Sequence, residues 1–204
     1  MKSKMIKTII FDIGNVLTHF SWPEHFSSFG YNPTILDKLG KATILSPDWN
    51  EYDLGILTDE DVLELFVQND PSIEKELRES LANMSGLITR CDYAIPWIHD
   101  LKSKGYQVLF LSNFFEKAFN ECAPAMDFIT HMDGGILSYK VHMTKPDFDI
   151  YKLLLQQYNL ISEECVFLDD TPANVETALS LGIHGIIFKN LAQARKDLAG
   201  LGII

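Results

Sequence analysis

Four short apolar runs, Lys7 to Phe11, Gln107 to Leu111, Cys165 to Leu168 and His184 to Phe188, constrain this chain more than any other feature. Each is too short for a buried helix and is bounded by turn or helix signals, which is the pattern of strands buried on both faces. Amphipathic stretches separate the later runs. Asp92 to Lys104 ends at Gly105, and Thr171 to Leu181 ends at Gly182; Asp147 to Tyr158 carries Ile150, Leu153, Leu154 and Tyr158 on one face. Asn190 is placed to cap a last helix. Alternation of strand and helix predicts an α/β fold built on a parallel sheet covered on both faces.

About 95 residues separate the first strand from the second, far more than the dozen or so that a parallel crossover needs. The intervening segment reads as helical. Thr58 followed by Asp61 resembles a capping box, and Asp70-Pro71 suits an N-cap and first turn ahead of Ile73, Leu77, Leu81 and Met84. Pro23, Pro33 and Pro47 break the earlier part into short pieces. The chain is therefore expected to divide into a core of residues 1–20 and 91–204 and a helical insertion of residues 21–90. The insertion holds 13 acidic against 5 basic residues, whereas the rest holds 15 against 12. At a net charge of −11 over 204 residues, the chain lacks the basic surface that nucleic acid or an anionic membrane would require.

In open α/β sheets, reactive groups collect at the carboxyl ends of the strands. Those ends carry Asp12, then Ser112-Asn113, then Asp169-Asp170. Carboxylates converging on one rim repel one another unless a cation lies between them, and their hard oxygens suit Mg²⁺. Lys145, ahead of Pro146 and a helix start, can bring an ammonium group to the same rim. Ser112 and Asn113 add neutral donors for an anion. Cys91, Cys122 and Cys165 are scattered and form no CxxC pair, which argues against a disulfide framework or zinc site and for a reducing, cytoplasmic setting. The basic N-terminal stretch reaches Lys7 and Asp12 too soon for a signal peptide or membrane span.

Phe11 to Leu17 (FDIGNVL), Leu111 to Asn113 (LSN), Lys145 to Asp147 (KPD) and Leu168 to Asn174 (LDDTPAN) resemble, in order, the four motifs of the haloacid dehalogenase superfamily. The resemblance runs the length of the chain, and the FDxGNV form is similar to bacterial phosphatases acting on glucose 1-phosphate. It implies a Rossmann-like core with a helical cap inserted after the first motif, and a Mg²⁺-dependent phosphatase of a small phosphorylated metabolite, with a sugar phosphate as the substrate. Carried over, Asp12 is the nucleophile that forms an aspartyl phosphate. The metal is held by Asp12, the Gly14 carbonyl, Asp169 and Asp170, and Ser112, Asn113 and Lys145 bind the phosphoryl group. Asn174 supports the acidic loop.

One position departs from the family. Most of its phosphatases carry a second Asp two residues after the nucleophile as general acid and base, where this chain has Gly14. His19, Glu51 and Asp53 are the candidates to replace it, His19 for its ordinary pKa and the other two because the Asn50 to Gly55 stretch resembles a recurring cap segment. Trp22, Phe26, Trp49 and Tyr52 are candidates to wall a sugar pocket, with core packing as the competing role. A metal-independent haloacid dehalogenase and a non-catalytic binding protein on the same fold are the alternatives. The sequence is compatible with a monomer or a small homo-oligomer.

Overall fold

Residues along each central strand alternate between two apolar layers, and this alternation sets the architecture of the computed structural model, which describes residues 5–203. Residues 1–4, the start of the basic N-terminal stretch, and residue 204 lie outside the described residues. Ile9 and Phe11 of β1 (Thr8–Phe11) face one layer with Trp97 and Leu198, while Ile10 faces the other with Ile150, Tyr151 and Ala178. The sheet is parallel and five-stranded, in the order β5-β4-β1-β6-β7. It adds β4 (Gln107–Ser112), β5 (Gly134–Leu137), β6 (Cys165–Asp169) and β7 (His184–Ile187) to β1.

Helices α6 (Ala94–Ser103) and α10 (Leu191–Gly200) contribute to the first layer, and α8 (Phe148–Gln157) and α9 (Pro172–Ser180) to the second. Phe11 is level with Phe110 and with Leu168 across the central strands. Asp12, Leu111 and Asp169 therefore emerge at the same height on one edge, with Ser112 a residue beyond.

Two features escape the sequence patterns. The edge strand β5 begins Gly134-Gly135, which carries no apolar signal; the glycines are there because a Cβ on Gly135 would lie 2.3 Å from the Phe110 carbonyl oxygen. A two-stranded antiparallel ribbon, β2 (Thr18–Phe20) with β3 (Ile88–Arg90), stands where the long intervening segment leaves and rejoins the sheet. Three-residue strands are too short to show periodicity.

Between β2 and β3 run α1 (Trp22–Ser27), α2 (Pro33–Ala42), α3 (Trp49–Leu54), α4 (Asp59–Asn69) and α5 (Glu74–Leu81). The Thr58–Asp61 capping box is formed at the start of α4, and Asp70 accepts from the Ser72 amide at the next helical turn. Their excess acid is partly neutralised locally, since Arg78 pairs with Glu60, Glu64 and Glu74. Helix α3 docks on the sheet edge through aromatics: the Tyr52 ring stacks on Phe115 with centroids 4.9 Å apart, and Trp49 meets the same ring edge-on at 5.2 Å. Among the described residues no helix is long and apolar enough to cross a membrane.

Gly135→Ala forces a side chain against the β4 backbone. It is expected to lower stability by about 1–3 kcal/mol, as overpacking typically does, and to shift the urea midpoint without changing the slope of the transition.

Candidate active site

Lys145 is the pivot of the site. Its side chain is 1% exposed, with Nζ 2.8 Å from Asp12 Oδ1 and donating to Asp169 Oδ2 at 2.6 Å. Burial alone would drive the ammonium toward its neutral form, but Asp12 and Asp169 reverse that effect and hold its pKa raised. The Lys145 backbone is fixed by Asn113, whose Oδ1 accepts from the Lys145 amide at 2.7 Å and whose Nδ2 donates to the Lys145 carbonyl at 2.9 Å. The Asn113 side chain, expected from sequence to hold the phosphoryl group, is thus engaged in aiming the lysine. Ser112 is buried, and its hydroxyl lies 3.3 Å from the Asn113 carbonyl.

Asp169 is fully buried and saturated with donors. Besides Lys145 it accepts from the Thr171 amide at 2.8 Å and from Asn174 Nδ2 at 3.0 and 3.1 Å. Tyr151 in turn donates to the Asn174 carbonyl at 2.9 Å, which ties α9 to α8 beneath the acidic turn. Asp170 is less buried, and Asn15 Nδ2 donates to its Oδ2 at 3.1 Å. Asn15, absent from the sequence candidates, adopts a left-handed backbone (φ 55°) that Asn tolerates better than most residues. The Gly14-Asn15 pair was the available signal for it.

Oxygens of Asp12, Asp169 and Asp170 all lie within 4.8 Å of one another. Burial pushes the Asp12 carboxyl up to about 7; the Lys145 ammonium pulls it down and Asp169 pushes it further up. The Asp170 carboxyl is raised by burial, with the Asn15 amide opposing. Asp12 Oδ1, although close to the ammonium, has no donor aligned on it as a hydrogen bond. An acceptor left open in a cluster of three carboxylates with one ammonium fits a hard divalent cation, and Mg²⁺ suits this donor set.

A cavity of about 200 Å³ opens over these groups. Asp12, Gly14, Asn15, Asn113 and Asp170 form its floor, while Phe20, Trp49, Ile88, Phe114 and Phe115 form an apolar wall. Asp53, from the last turn of α3, also faces this cavity; burial pushes its carboxyl up to about 7, with Lys145 pulling it down and Asp12 pushing it up.

The other sequence candidates lie elsewhere. His19 sits exposed on β2 with Nε2 3.4 Å from Cys91 Sγ, and neither it nor Glu51 lines the cavity. Trp49 does line it, Tyr52 is buried against Phe66 and Phe115, and Trp22 and Phe26 pack on each other away from it.

A parallel sheet with an acid cluster and a buried lysine at its carboxyl edge defines an α/β protein with a site suited to a cation and an anion, and its relatives narrow the class. The model of the haloacid dehalogenase-like hydrolases matches residues 6–182, and the chain belongs to that family. It is 25% identical to the D-ribitol-5-phosphate phosphatase of Bacteroides thetaiotaomicron, over 95% of this chain and 97% of that protein. It is likewise 25% identical to the sesquiterpene phosphatase astK of Aspergillus oryzae, over 88% of each. Three longer curated relatives are matched over 37%, 19% and 62% of their length, so the chain spans less than two thirds of each. Among solved structures, a HAD-family enzyme of Bacteroides thetaiotaomicron in complex with magnesium and inorganic phosphate superposes with a TM-score of 0.68 at 21% identity, over 90% of this chain and 94% of that one.

Removing one partner of a buried ion cluster leaves the rest uncompensated, so Lys145→Met is expected to destabilise the chelator-treated protein by about 3–5 kcal/mol near neutral pH. The deficit grows with pH. Burial holds the folded Asp12 carboxyl above the ~3.9 of an unfolded chain, so stability falls as the pH rises through the interval between the two values. Loss of the ammonium that lowers the folded value extends the interval upward. Urea melts of both proteins between pH 5 and pH 8 measure the gap.

Proposed function

We propose that the protein is a Mg²⁺-dependent phosphatase that hydrolyses a small phosphorylated metabolite through an aspartyl-phosphate intermediate. The observation that carries this reading is the Lys145 ammonium buried between Asp12 and Asp169, with Asp170 beside them. The arrangement holds one carboxylate at the floor of a cavity next to positive charge, which suits attack on an anionic substrate.

Asp12 is the nucleophile. Its carboxylate oxygen attacks phosphorus, the bond to the leaving oxygen breaks, and water then cleaves the acyl phosphate. Lys145 draws in the phosphoryl oxygens and offsets the charge of Asp12. Ser112, whose hydroxyl also favours the ionised form of Asp12, donates at the same floor, and Asn113 acts through the lysine backbone. Asp12, Asp170 and the Gly14 carbonyl would hold Mg²⁺, and Asp169, already saturated by Lys145, Thr171 and Asn174, would support them by its charge. When bound, Mg²⁺ supplies charge neutralisation for the attacking carboxylate and the phosphoryl oxygens. The insertion at 21–90 serves as the cap, closing the cavity with α3 and excluding water during transfer.

A sugar or polyol phosphate is the substrate class. The cavity, about 200 Å³, is below the ~300–1,000 Å³ typical of sites for drug-sized ligands, which favours a compact leaving group over a long prenyl chain. The ribitol-phosphate phosphatase matched along its whole length supports the same choice. The dehalogenase alternative leaves three crowded carboxylates facing a single ammonium with nothing further to neutralise them.

Phosphate release from a panel of sugar and polyol phosphates, with Mg²⁺ or with EDTA, tests this function. Activity that disappears with EDTA, returns with Mg²⁺ and falls at least about 10³-fold in Asp12→Asn is expected. Release that survives chelation, or an Asp12→Asn variant of undiminished rate, would contradict it.

A further inference from the structure

When the bond from phosphorus to the leaving group breaks, the departing oxygen must take a proton, and Gly14 carries none. Three of the residues lining the cavity have titratable side chains: Asp12, Asp53 and Asp170. Asp12 attacks phosphorus, and Asp170 sits in the acid cluster, turned to Asn15. Asp53 alone stands off that cluster, on the element that covers the cavity. We infer that Asp53 is the catalytic acid of this site, giving its proton to the leaving oxygen; the inference rests on the phosphatase reading above.

The turn that carries Asp53 is held in place by contacts that have no other evident purpose. Ser138 Oγ donates to the Asp53 carbonyl at 2.6 Å and also accepts from the Phe114 amide at 2.9 Å, linking α3 to the strand end that borders the phosphoryl site. His142 Nδ1 lies 2.9 Å from the Leu54 carbonyl. Gly55 closes the helix at φ 63°, pressed so close to Tyr139 that a Cβ would fall 2.7 Å from the tyrosine Cβ. Trp49 and Tyr52, on the same short helix, grip Phe115 from the other side. A six-residue helix is thus fixed at both ends against the sheet edge, and a carboxyl fixed in this way can meet a leaving oxygen in a constant geometry.

The charged groups around Asp53 are Asp12 from the end of β1, Lys145 from the loop before α8, and Asp170 across the cavity; His142 touches only the neighbouring carbonyl. Burial raises the Asp53 carboxyl, with Lys145 opposing and Asp12 adding to the rise, and a raised carboxyl suits a donor. In the first half-reaction Asp12 forms the P–O bond, the electron pair of the breaking bond goes to the leaving oxygen, and the Asp53 proton joins it to give the free alcohol. In the second half, the Asp53 carboxylate takes a proton from the water that attacks phosphorus, and the P–O bond to Asp12 breaks with its electron pair returning to the Asp12 carboxylate. Inorganic phosphate and the original acid are restored.

Position 14 offers a way to check the assignment. A Cβ there would meet nothing within 4 Å, and Gly14 does not occupy the left-handed region, so an acid can be placed two residues after the nucleophile.

The test compares kcat/KM on p-nitrophenyl phosphate and on alkyl phosphates of rising leaving-group pKa, for the wild type, Asp53→Asn and Asp53→Asn with Gly14→Asp. The expected wild-type dependence on leaving-group pKa is shallow. Asp53→Asn should steepen it, losing about 10²–10⁴-fold on alkyl phosphates and only several-fold on p-nitrophenyl phosphate, and Gly14→Asp should restore part of the loss. Equal losses on both substrate types, or no loss on alkyl phosphates, would overturn the role of Asp53 while leaving the phosphatase function intact. Should the variants fail to fold, a steep wild-type dependence overturns it alone. A wild type that releases phosphate from neither class overturns the function and the inference together.

Discussion

The Lys145 ammonium is withdrawn from water and placed between the carboxylates of Asp12 and Asp169, and most of the site's geometry follows from the need to satisfy it. An isolated buried ammonium would lose its proton or open the fold. Two carboxylates from neighbouring strands prevent this, and they are adjacent only because β1 and β6 pair in parallel with Phe11 level with Leu168. The lysine arrives from a different segment and is aimed by Asn113 at the end of β4. Four pieces of chain, distant in sequence, therefore meet through one charge.

The sheet accounts for how much of this was legible in the sequence. Strands β1, β4 and β6 are nearly pure apolar runs and β7 ends in one, so their existence and the residues at their ends could be read directly. Asp12, Ser112, Asp169 and Asp170 were found because strand ends are where polar residues interrupt such runs. Edge strand β5 was not legible, because Gly134 answers a packing demand from Tyr158 and Gly135 one from Phe110, and the pair has no periodicity of its own. Residue type also conceals direction. Asn113 looked like an anion ligand, yet both ends of its amide are bound to the Lys145 backbone. Asn15, which was not among the sequence candidates, orients Asp170.

The acidic segment changes meaning once its helices are placed. Much of its charge is solvated or paired on the surface, as with Arg78 and its three glutamates, and such exposed pairs contribute little to stability individually. On its other side Trp49, Asp53 and Ile88 line the cavity. Only position distinguished Asp53 from the dozen other acids of the segment. His19, the other candidate proton carrier, stands on the outer ribbon beside Cys91. A proton carrier has no catalytic use without reach.

The central claim is that Asp12, one of the two carboxylates paired with Lys145, attacks the substrate. Acid quenching during turnover of a phosphorylated substrate, followed by tritiated borohydride, reduces an acyl phosphate to an alcohol and marks the residue that carried it. Label confined to the peptide containing Asp12, as homoserine at that position and absent from substrate-free controls, is the result the structure predicts. Label at Asp53, Asp169 or Asp170, or none at Asp12 under conditions of active turnover, would contradict it.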